Sequence, residues 1–591
     1  MCGIVGCVGK IDVKNFLIQG LKDLDYRGYD SAGVAYLLNR EIVVHKFVGS
    51  VENLSKKTPS KFNSDVGIGH TRWATHGVPS DINSHPHVSN DGTFALVHNG
   101  VIKNYKDIKG HLSRKGCSFL SETDTEVIVN LLQRSYGKTN DVLEAIRLTV
   151  SKLEGGYACA FITSHEPHRL YFFKNSAPLL IGVGEGFNLL ASDASPMITE
   201  THKFIELDDL CYGYIEEKDL HIYKDGNELE PVYTEKQPDL LKRDLCGYPH
   251  FMLKEIEEIP TVIGRLVDNY YNDGEFNFDP KLIEAIHEAD HIVFIACGTS
   301  YHASLIGAHY FERLGKDASV FIASEWAYYP KYLGKKPLYV FLSQSGETAD
   351  LIRCGEAIKA MKMPLLVITN TKGSTLERMS TYSCLLYAGL EVAVASTKAY
   401  SAMVTLLSLL SRACAHSTHI AEKLNQIIED CNKIIERKEE IHEIAKKIKD
   451  AKNVFFLGRG YDYEMSLEAS LKLKEITYIH SEGVPGGELK HGPIALIEEG
   501  VPVITFISDP VTESAMRGNV EEVNSRGAIS YIVSSNRVKR DGDAFVVPDS
   551  VLYLSPLLKS MFAFYLAYYV SLEKGLNVDK PRNLAKSVTV E

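Results

Sequence analysis

The segment Ile292-Val-Phe-Ile-Ala-Cys-Gly-Thr-Ser300 has a second, similar version in this chain. It returns 162 residues later as Val454-Phe-Phe-Leu-Gly-Arg-Gly-Tyr-Asp462. A second apolar run, Tyr339–Leu342, returns 164 residues later as Val503–Ile507. Short β-branched runs that alternate with helix-length segments indicate a parallel sheet with crossover helices. Because the two copies keep nearly the same offset, the second half of the chain is predicted to be a repeat of one α/β unit.

The repeat defines the expected domain organisation. We place the two α/β domains at residues 282–420 and 444–582, with the charged helical segment Glu422–Asp450 connecting or packing against them. Residues 2–216 mix short strands with helices, which is typical of an α+β domain. We expect a linker at residues 217–250, because the stretch Lys224–Gly247 is polar and contains Pro231 and Pro238.

The composition is that of an ordinary globular protein and excludes several classes of function. The chain has 591 residues, 45% apolar and 24% charged, which is too long for one hydrophobic core. A net charge of −12, with both signs mixed along the chain, argues against a nucleic-acid partner. Eleven cysteines without CxxC or Cys/His spacing predict reduced thiols, a cytoplasmic location and no metal site. No apolar run of membrane-spanning length and no signal peptide is apparent, so no membrane partner is expected.

Cys2 is a candidate nucleophile because of its position after Met1. If Met1 is removed, a thiol of pKa about 8.5 and an α-amine of pKa about 7.7–8.0 belong to one residue. The amine can then take the thiol proton, as in other N-terminal nucleophiles. With Met1 attached the nitrogen is an amide, and we expect that form to lack the base. Taken alone, Cys2 is equally a small residue after the initiator methionine.

Polar residues cluster in four further segments of the first domain, namely Tyr26–Gly33, His70–Gly77, His98–Gly100 after the predicted strand Phe94–Val97, and Ser121–Glu126 before a predicted helix. Asn99-Gly100 is also typical of a hairpin turn, and Thr123 or Asp124 of a helix N-cap. Together the segments fit amide hydrolysis by a thiolate. An asparagine amide beside a glycine N–H can stabilise the oxyanion. Arg72 and Asp124 suit the carboxylate and ammonium of an amino-acid substrate.

These segments resemble the class II glutamine amidotransferase domain, which implies an αββα fold of the N-terminal-nucleophile type. The match rests on Cys-Gly-Ile-Val-Gly, Tyr-Arg-Gly-Tyr-Asp-Ser-Ala-Gly, His-Thr-Arg-Trp-Ala-Thr-His-Gly, His-Asn-Gly and Ser-Glu-Thr-Asp-Thr-Glu. The resemblance implies that Cys2 forms a γ-glutamyl thioester and that Asn99 and Gly100 form the oxyanion hole. The glutamine-binding residues that it implies are Arg72, Thr75, His76 and Asp124. It implies that Trp73 gates an enclosed passage for ammonia.

The loop Ser343-Gln-Ser-Gly-Glu-Thr348 has the composition of a phosphate cradle. Three hydroxyls, a glycine and a helix N-terminus suit a phosphate monoester, although the same residues also fit an N-cap. The second copy has Ser508-Asp509-Pro510 at the equivalent place. We therefore expect one copy to hold the phosphate and the other to have diverged. The second half has no Walker loop, pyrophosphate loop or phosphoribosyl-pyrophosphate loop, which disfavours asparagine synthetase and amidophosphoribosyltransferase.

Candidates for acid–base chemistry lie in the second copy and in the C-terminal tail, residues 583–591. Glu468, Lys472 and Glu475 fall at i, i+4 and i+7, which places them on one face of a helix. The same spacing fits a solvated stripe of salt bridges. His491 lies in a glycine-bounded loop, and the tail carries Lys586 among small and apolar residues.

Over essentially its full length the chain resembles the glutamine–fructose-6-phosphate aminotransferase family, which has two sugar isomerase (SIS) domains. The motifs are CGTS, SQSGET, VASTKA, LKLKE, GELKHGP and KPRNLAKSVTVE. The resemblance implies that Glu475 moves the C1 proton and that Lys472 assists at the sugar oxygen. It implies that His491 of a neighbouring subunit opens the ring and that Lys586 forms a Schiff base with the ketose. The implied sugar-phosphate-binding residues are Cys297, Gly298, Thr299, Ser300, Ser343, Gln344, Ser345, Thr348, Val394, Ser396 and Glu468.

The resemblance implies an isomerizing, glutamine-dependent aminotransferase. It would convert D-fructose 6-phosphate and L-glutamine to D-glucosamine 6-phosphate and L-glutamate, the first step of hexosamine synthesis, as a homodimer without metal, ATP or another cofactor. The chemistry is coherent, because lysine activates a carbonyl as an imine and a desolvated carboxylate can move the proton. Two alternatives stay open: an amidotransferase that acts on another phosphosugar, and a non-enzymatic phosphosugar sensor.

Overall fold

The computed structural model describes residues 2–25, 28, 30–73, 76–235, 244–272, 274–331 and 333–588. The chain divides into two compact units, Met1–Arg243 with Ser587–Glu591, and Asp244–Lys586. Within the described ranges, every helix is too short or too polar to cross a membrane.

The first unit consists of two antiparallel sheets with helices on their outer faces. Its strands are β1 (Gly3–Gly9), β2 (Ser31–Leu38), β3 (Glu41–Val48), β4 (Val66–Arg72), β5 (His87–Val88), β6 (Phe94–Ile102), β7 (Gly155–Thr163), β8 (Leu170–Asn175), β9 (Leu180–Val183), β10 (Phe187–Ala191), β11 (Lys203–Glu206), β12 (Tyr212–Ile215), β13 (Leu220–Lys224), β14 (Asn227–Leu229) and β15 (Tyr233–Glu235). Its helices are α1 (Val13–Asp23), α2 (Val51–Lys57), α3 (Tyr105–Ser113), α4 (Thr125–Thr139) and α5 (Val142–Val150).

The strand orders are β15-β11-β9-β10-β1-β4-β2-β3 in one sheet and β14-β13-β12-β8-β7-β6-β5 in the other. Strand β1 is buried along its whole length, and its side chains alternate between two cores. Ile4 and Val8 face the other sheet, whereas Val5 and Cys7 face α1. Helices α3, α4 and α5 cover the second sheet through a third core. These four layers confirm the predicted αββα fold.

The segment predicted as a linker, residues 217–250, contains three strands of the first unit. Strands β13 and β14 extend the edge of the seven-stranded sheet, and β15 pairs with β11 in the other sheet. Every residue of β14 and β15 is exposed. Their polar composition therefore reflects edge strands in contact with water rather than an absence of secondary structure.

The second unit contains the repeated α/β architecture. Its strands are β16 (Tyr271–Asn272), β17 (Glu275–Phe276), β18 (His291–Ala296), β19 (Asp317–Ile322), β20 (Pro337–Ser343), β21 (Leu365–Thr369), β22 (Tyr382–Leu385), β23 (Asn453–Gly458), β24 (His480–Pro485), β25 (Pro502–Ile507), β26 (Ile529–Ser535) and β27 (Phe545–Val547). Its helices are α6 (Phe251–Glu257), α7 (Ile259–Tyr270), α8 (Pro280–Glu288), α9 (Gly298–Glu312), α10 (Ala323–Trp326), α11 (Ala349–Ala360), α12 (Thr375–Met379), α13 (Lys398–Cys414), α14 (Ile420–Glu436), α15 (Lys438–Ile448), α16 (Tyr461–Thr477), α17 (Pro510–Asn524) and α18 (Ser555–Glu573).

Two parallel five-stranded sheets confirm the predicted repeat. Their orders are β19-β18-β20-β21-β22 and β24-β23-β25-β26-β27, so each copy has the same topology. The segment between the copies forms α14 and α15. Its apolar residues Ile427, Ile434 and Ile441 join a core that both copies share, together with nearly all of α18.

The second copy contains a buried ion pair at the end of β25. Lys559 and Asp462 have side chains that are 0% and 3% exposed, and the lysine Nζ donates to Asp462 Oδ1. Ser508 donates to the same carboxylate through its N–H at 2.8 Å and through its hydroxyl at 2.7 Å. Burial lowers the pKa of Lys559, and the charge of Asp462 opposes this effect. The pair therefore depends on both partners being present.

We expect Lys559→Met to lower the free energy of unfolding of the second unit by about 3 kcal/mol, because it leaves a buried carboxylate without its cation. The double variant Lys559→Met/Asp462→Asn is expected to recover part of this loss. Urea unfolding followed by circular dichroism measures both. Lys433→Met is a suitable control, because Lys433 is 56% exposed and its pair with Asp430 is expected to contribute less than about 1 kcal/mol. Equal losses in the two single variants would contradict the prediction.

Candidate active sites

Cys2 lies directly before β1, at the end of a central strand of the first unit. The N–H of Trp73 donates to Cys2 Sγ at 3.3 Å, and Asn99 Nδ2 donates to the Cys2 carbonyl oxygen at 3.1 Å. Burial raises the pKa of the Cys2 thiol, and the Trp73 N–H and the charge of Arg72 oppose this effect. A thiol with a raised pKa needs a base nearby to become a nucleophile.

Asn99 and Gly100 lie within strand β6, so the interpretation of Asn99-Gly100 as a hairpin turn is wrong. The strand continues to Ile102 because it pairs with β7 along its whole length. Gly100 has φ +124°, and a Cβ there would lie 2.1 Å from the carbonyl oxygen of Gly156. The ladder therefore admits only glycine at this point, directly beside the asparagine.

His70 orients the Asn99 amide, a role that sequence reasoning missed. His70 Nε2 lies 3.0 Å from the His98 carbonyl oxygen and 3.1 Å from Asn99 Oδ1. Because both partners are oxygen acceptors, Nε2 carries the proton. Burial lowers the pKa of His70 to about 3, so the ring is neutral. This contact turns Asn99 Oδ1 away from Cys2 and Nδ2 towards it. His70 belongs to the quoted motif, but its inward direction depends on pairing that the motif does not show.

Arg72 and Asp124 border the same site. Arg72 ends β4, and its Nη2 donates to the carbonyl oxygens of His76 and of Gly77, the latter at 3.2 Å. Its buried Nη1 has no hydrogen-bond partner among the described residues, which suits a substrate carboxylate. Asp124 precedes α4 and accepts the N–H of Ile102 at 2.8 Å rather than capping the helix through its side chain.

The remaining predicted residues of this site are placed in part. The ring of His76 contacts that of Tyr105 edge to face, with centroids 5.1 Å apart. Thr75 lies outside the described residues, as do Tyr26, Arg27 and Tyr29 of the second motif. In the described part of the chain, no group of three or more His, Cys, Asp or Glu side chains is arranged to hold a metal ion.

In the second unit, the Ser343–Thr348 loop joins β20 to α11. The Ser343 hydroxyl lies 3.0 Å from the Thr348 hydroxyl and accepts the N–H of Gly346 at 3.1 Å. Gly346 has φ +66°, a conformation that favours glycine. Thr348 precedes α11 but makes no side-chain capping hydrogen bond. The hydroxyls therefore shape the loop instead of serving mainly as an N-cap.

The face of α16 that carries Glu468, Lys472 and Glu475 is not a solvated stripe. The side chains of Glu468 and Lys472 are 0% and 1% exposed. Lys472 Nζ lies 2.5 Å from Glu475 Oε2 and 3.6 Å from Glu468 Oε1. Burial raises the pKa of Glu475, and the positive charges of Lys472 and Lys586 oppose this effect. A carboxylate with a raised pKa is suited to proton transfer near neutral pH.

This face meets the N-terminus of α9 from the first copy. Thr299 Oγ1 donates to Glu468 Oε1 at 3.0 Å and accepts from Lys472 Nζ at 2.9 Å. His302 Nδ1 lies 2.7 Å from Glu468 Oε2. Sequence reasoning missed His302, although it lies three residues, about one helical turn, after Thr299 of the CGTS motif. The other predicted residues of this segment, Cys297, Gly298 and Ser300, lie at the start of the same helix.

Lys586 is held by a residue that sequence reasoning also missed. Its Nζ donates to Glu391 Oε2 at 2.5 Å and to the Ala393 carbonyl oxygen at 2.8 Å. Glu391 is buried, and it also accepts the Ser396 hydroxyl at 2.9 Å. Burial raises the pKa of Glu391, but the charge of Lys586 and several N–H donors outweigh it and hold this pKa below its ordinary range. An anionic carboxylate therefore faces the lysine.

His491 is the predicted residue that the structure does not bring to this cluster. It ends a short 3-10 helix, Gly486–His491, and its side chain is exposed. No hydrogen bond or ion pair within the described ranges joins it to Lys472, Glu475 or Lys586. Val394 and Ser396, in contrast, lie in the segment that holds Lys586.

Comparison with known proteins identifies the family. A model described as SIS domain matches residues 285–413 and 447–570, and one described as glutamine amidotransferase domain matches residues 70–199. A glutamine–fructose-6-phosphate aminotransferase (isomerizing) from Oceanobacillus iheyensis is 45% identical over 100% of both chains, and one from Staphylococcus aureus is 44% identical with the same coverage. The chain belongs to the glutamine–fructose-6-phosphate aminotransferase family.

A solved relative supports the fold of the second unit of this family member. The C-terminal domain of glucosamine-fructose-6-phosphate aminotransferase from Francisella tularensis matches 57% of this chain and 100% of its own, with 32% identity and a TM-score of 0.53. Family membership and both domain types are thereby confirmed. The roles of individual residues stay predictions, because neither the relatives nor the geometry tests them.

We expect Gly100→Ala to reduce glutamine hydrolysis by about 100-fold, because the added Cβ displaces the strand that carries one oxyanion donor. Release of glutamate from glutamine measures the effect. Gly110→Ala in α3 is the matched control, since a Cβ there lies more than 4 Å from every described atom outside its own stretch of helix. Normal hydrolysis by Gly100→Ala would contradict the placement of the oxyanion hole.

Proposed function

We propose that this chain converts D-fructose 6-phosphate and L-glutamine to D-glucosamine 6-phosphate and L-glutamate, the first step of hexosamine synthesis. The contact between Lys586 and the buried carboxylate of Glu391 carries the proposal. Binding of a sugar phosphate alone needs no buried lysine, whereas imine chemistry at a ketose carbonyl does. The acid–base face of α16 belongs to the same unit and lies within electrostatic range of this lysine.

The first half-reaction takes place at Cys2. After removal of Met1, its α-amine takes the thiol proton, and the thiolate attacks the side-chain amide of glutamine. Asn99 Nδ2 and the Gly100 N–H stabilise the oxyanion as the thioester forms and ammonia leaves with a proton from the α-ammonium. Water then cleaves the thioester, which releases glutamate and returns the proton to the Cys2 thiol. Arg72 binds the substrate carboxylate and Asp124 its ammonium, and the family resemblance adds Thr75 and His76 as glutamine-binding residues. Trp73, whose N–H contacts the thiol, gates the release of ammonia.

The second half-reaction begins with binding of the sugar phosphate. The phosphate is held by the Ser343–Thr348 loop, and His491 from a second copy of the chain opens the ring. The Lys586 amine attacks C2, water leaves, and the resulting iminium keeps its positive charge beside Glu391. This carboxylate is already anionic in the protein, so it needs no rearrangement to balance that charge.

Ammonia then replaces Lys586 at C2, and a proton moves from C1 to C2. Glu475 is the base for this transfer, because burial favours its protonated form and so raises its basicity. Lys472 donates to the sugar oxygen, and Glu468 fixes Lys472 together with Thr299. His302 holds the second oxygen of Glu468 and so keeps that carboxylate in one orientation.

The assembly and location follow from the same features. We propose a homodimer, since the exposed His491 has no link to the other acid–base residues within the described chain. All eleven cysteines lie in described residues, and each is a free thiol. This supports a cytoplasmic location, because free thiols persist in reducing compartments.

Incubation of the purified protein with glutamine and fructose 6-phosphate is expected to yield glucosamine 6-phosphate and glutamate in equal amounts. Chromatography coupled to mass spectrometry measures both products. Other ketose phosphates serve as controls for the alternative substrate. Sugar binding without glutamate release would support the sensor instead, and release of glutamate with no hexosamine phosphate would exclude the proposed product.

Two variants are expected to separate the half-reactions. Cys2→Ala should reduce glutamine hydrolysis at least about 1,000-fold, because it removes the nucleophile, and leave the conversion of fructose 6-phosphate to glucose 6-phosphate. Lys586→Ala should abolish the conversion of fructose 6-phosphate to glucose 6-phosphate and leave glutamine hydrolysis unchanged. Lys574→Ala, an exposed lysine in the same part of the chain, is the control for general effects of charge removal. Equal loss of both activities in either variant would mean that the units are misassigned.

A further inference from the structure

Glu255 is a buried carboxyl group of the second unit that forms no direct ion pair with any residue that the structure describes. It lies on α6 and is 2% exposed. One oxygen, Oε1, accepts the N–H groups of Val392 at 2.5 Å and Ala393 at 3.2 Å. The other oxygen, Oε2, is buried and has no hydrogen-bond partner in the described part of the chain. Burial of such a group is costly, so its presence needs a specific reason.

The two peptide groups that Glu255 holds belong to the segment that binds Lys586. Residues 386–397 lie between β22 and α13 and contain no helix or strand. Without a ladder or a helix, side-chain hydrogen bonds determine where these peptides lie. The Ala393 carbonyl and the Glu391 carboxylate are the two acceptors of the Lys586 ammonium. Glu255 thus accepts hydrogen bonds from two N–H groups of this segment, and the same segment supplies the two acceptors of Lys586.

The same helix is bonded to Asp579, which lies seven residues before Lys586. The Asp579 carboxylate accepts the N–H groups of Phe251 at 3.0 Å and Met252 at 2.8 Å, at the start of α6. The carbonyl oxygen of Asp579 accepts the N–H of Val394 at 3.0 Å. Helix α6, the 386–397 segment and residues 579–586 are therefore each hydrogen-bonded to the other two, and the Lys586 ammonium is part of this network.

We infer that Glu255 is a positioning residue for Lys586, which it places for attack on the ketose by fixing Val392 and Ala393. The inference rests on the proposed function, because positioning Lys586 matters for catalysis only if Lys586 forms an imine with the ketose. Burial and the charge of Glu391 raise the pKa of Glu255, while Lys586 and Lys398 oppose them. In its protonated form Glu255 accepts both N–H groups through one oxygen without competing with Glu391 for the ammonium.

Glu255→Asp tests the inference, because aspartate keeps the carboxyl group but is one methylene shorter and does not reach both N–H groups. We expect kcat for hexosamine formation to fall about 100-fold, the cost of a reacting group misplaced by about 1 Å. The KM for fructose 6-phosphate and the rate of glutamine hydrolysis should stay near the wild-type values. Borohydride trapping of fructose 6-phosphate on Lys586 should slow by the same factor as kcat.

Glu255→Gln is the conservative rescue, since its amide oxygen can accept the same two N–H groups at the same reach. It should restore most of kcat and of the trapping rate. Asp430→Asn removes another buried carboxylate of the same unit and controls for loss of stability, which thermal unfolding measures. If Glu255→Asp does not fold, the trapping rate of Glu255→Gln decides the inference.

The outcomes separate the inference from the proposed function. Absence of trapping on wild-type Lys586 would overturn the proposed function itself. Trapping on the wild type together with unchanged trapping in Glu255→Asp would overturn the role of Glu255. Slow trapping in a fully folded Glu255→Gln would also overturn it, because the acceptor is then present without effect. Slow Glu255→Asp and near-normal Glu255→Gln would support it.

Discussion

A buried carboxylate is stable only when hydrogen-bond donors replace the water around it, and Glu391 has four such donors. Lys586 Nζ and the Ser396 hydroxyl bond to one oxygen, and the N–H groups of Thr397 and Ala399 bond to the other at 2.9 and 3.0 Å. These donors come from the tail, from an irregular segment and from the start of α13. One buried charge therefore holds these three parts of the chain together.

The same requirement organises the acid–base face of α16. Each oxygen of Glu468 has a partner on α9, so the two copies of the repeat meet through hydrogen bonds as well as through apolar packing. The spacing of Glu468, Lys472 and Glu475 correctly predicted a shared helix face. It did not predict burial, because the element that covers the face lies about 170 residues away, at Thr299 and His302.

Features that depend on residues close together in the sequence were predictable, whereas contacts between residues far apart in the sequence were not. Periodicity and the internal repeat were sufficient to predict both parallel sheets. The motifs of the first unit were sufficient to predict its αββα fold. Local preference misled at Asn99-Gly100, where pairing with β7 overrides the tendency of this dipeptide to turn. The spacing around Glu391, Glu255 and His70 does not predict their roles. These roles depend on partners that lie from 28 to 195 residues away, and a single sequence contains no measure of such proximity.

The contrast between the two copies explains why one chain has one candidate phosphate site. In the first copy, Ser343 and its loop present hydroxyls and N–H groups at the end of β20. At the matched position of the second copy, Ser508 donates to Asp462 instead, and Lys559 neutralises that carboxylate. A phosphate dianion placed there would be repelled by the Asp462 carboxylate. It would also find that the Ser508 N–H and hydroxyl already donate to that carboxylate. The carboxylate of Asp462 thus takes the donors at this position of the second copy, and only the loop of the first copy keeps the composition of a phosphate cradle.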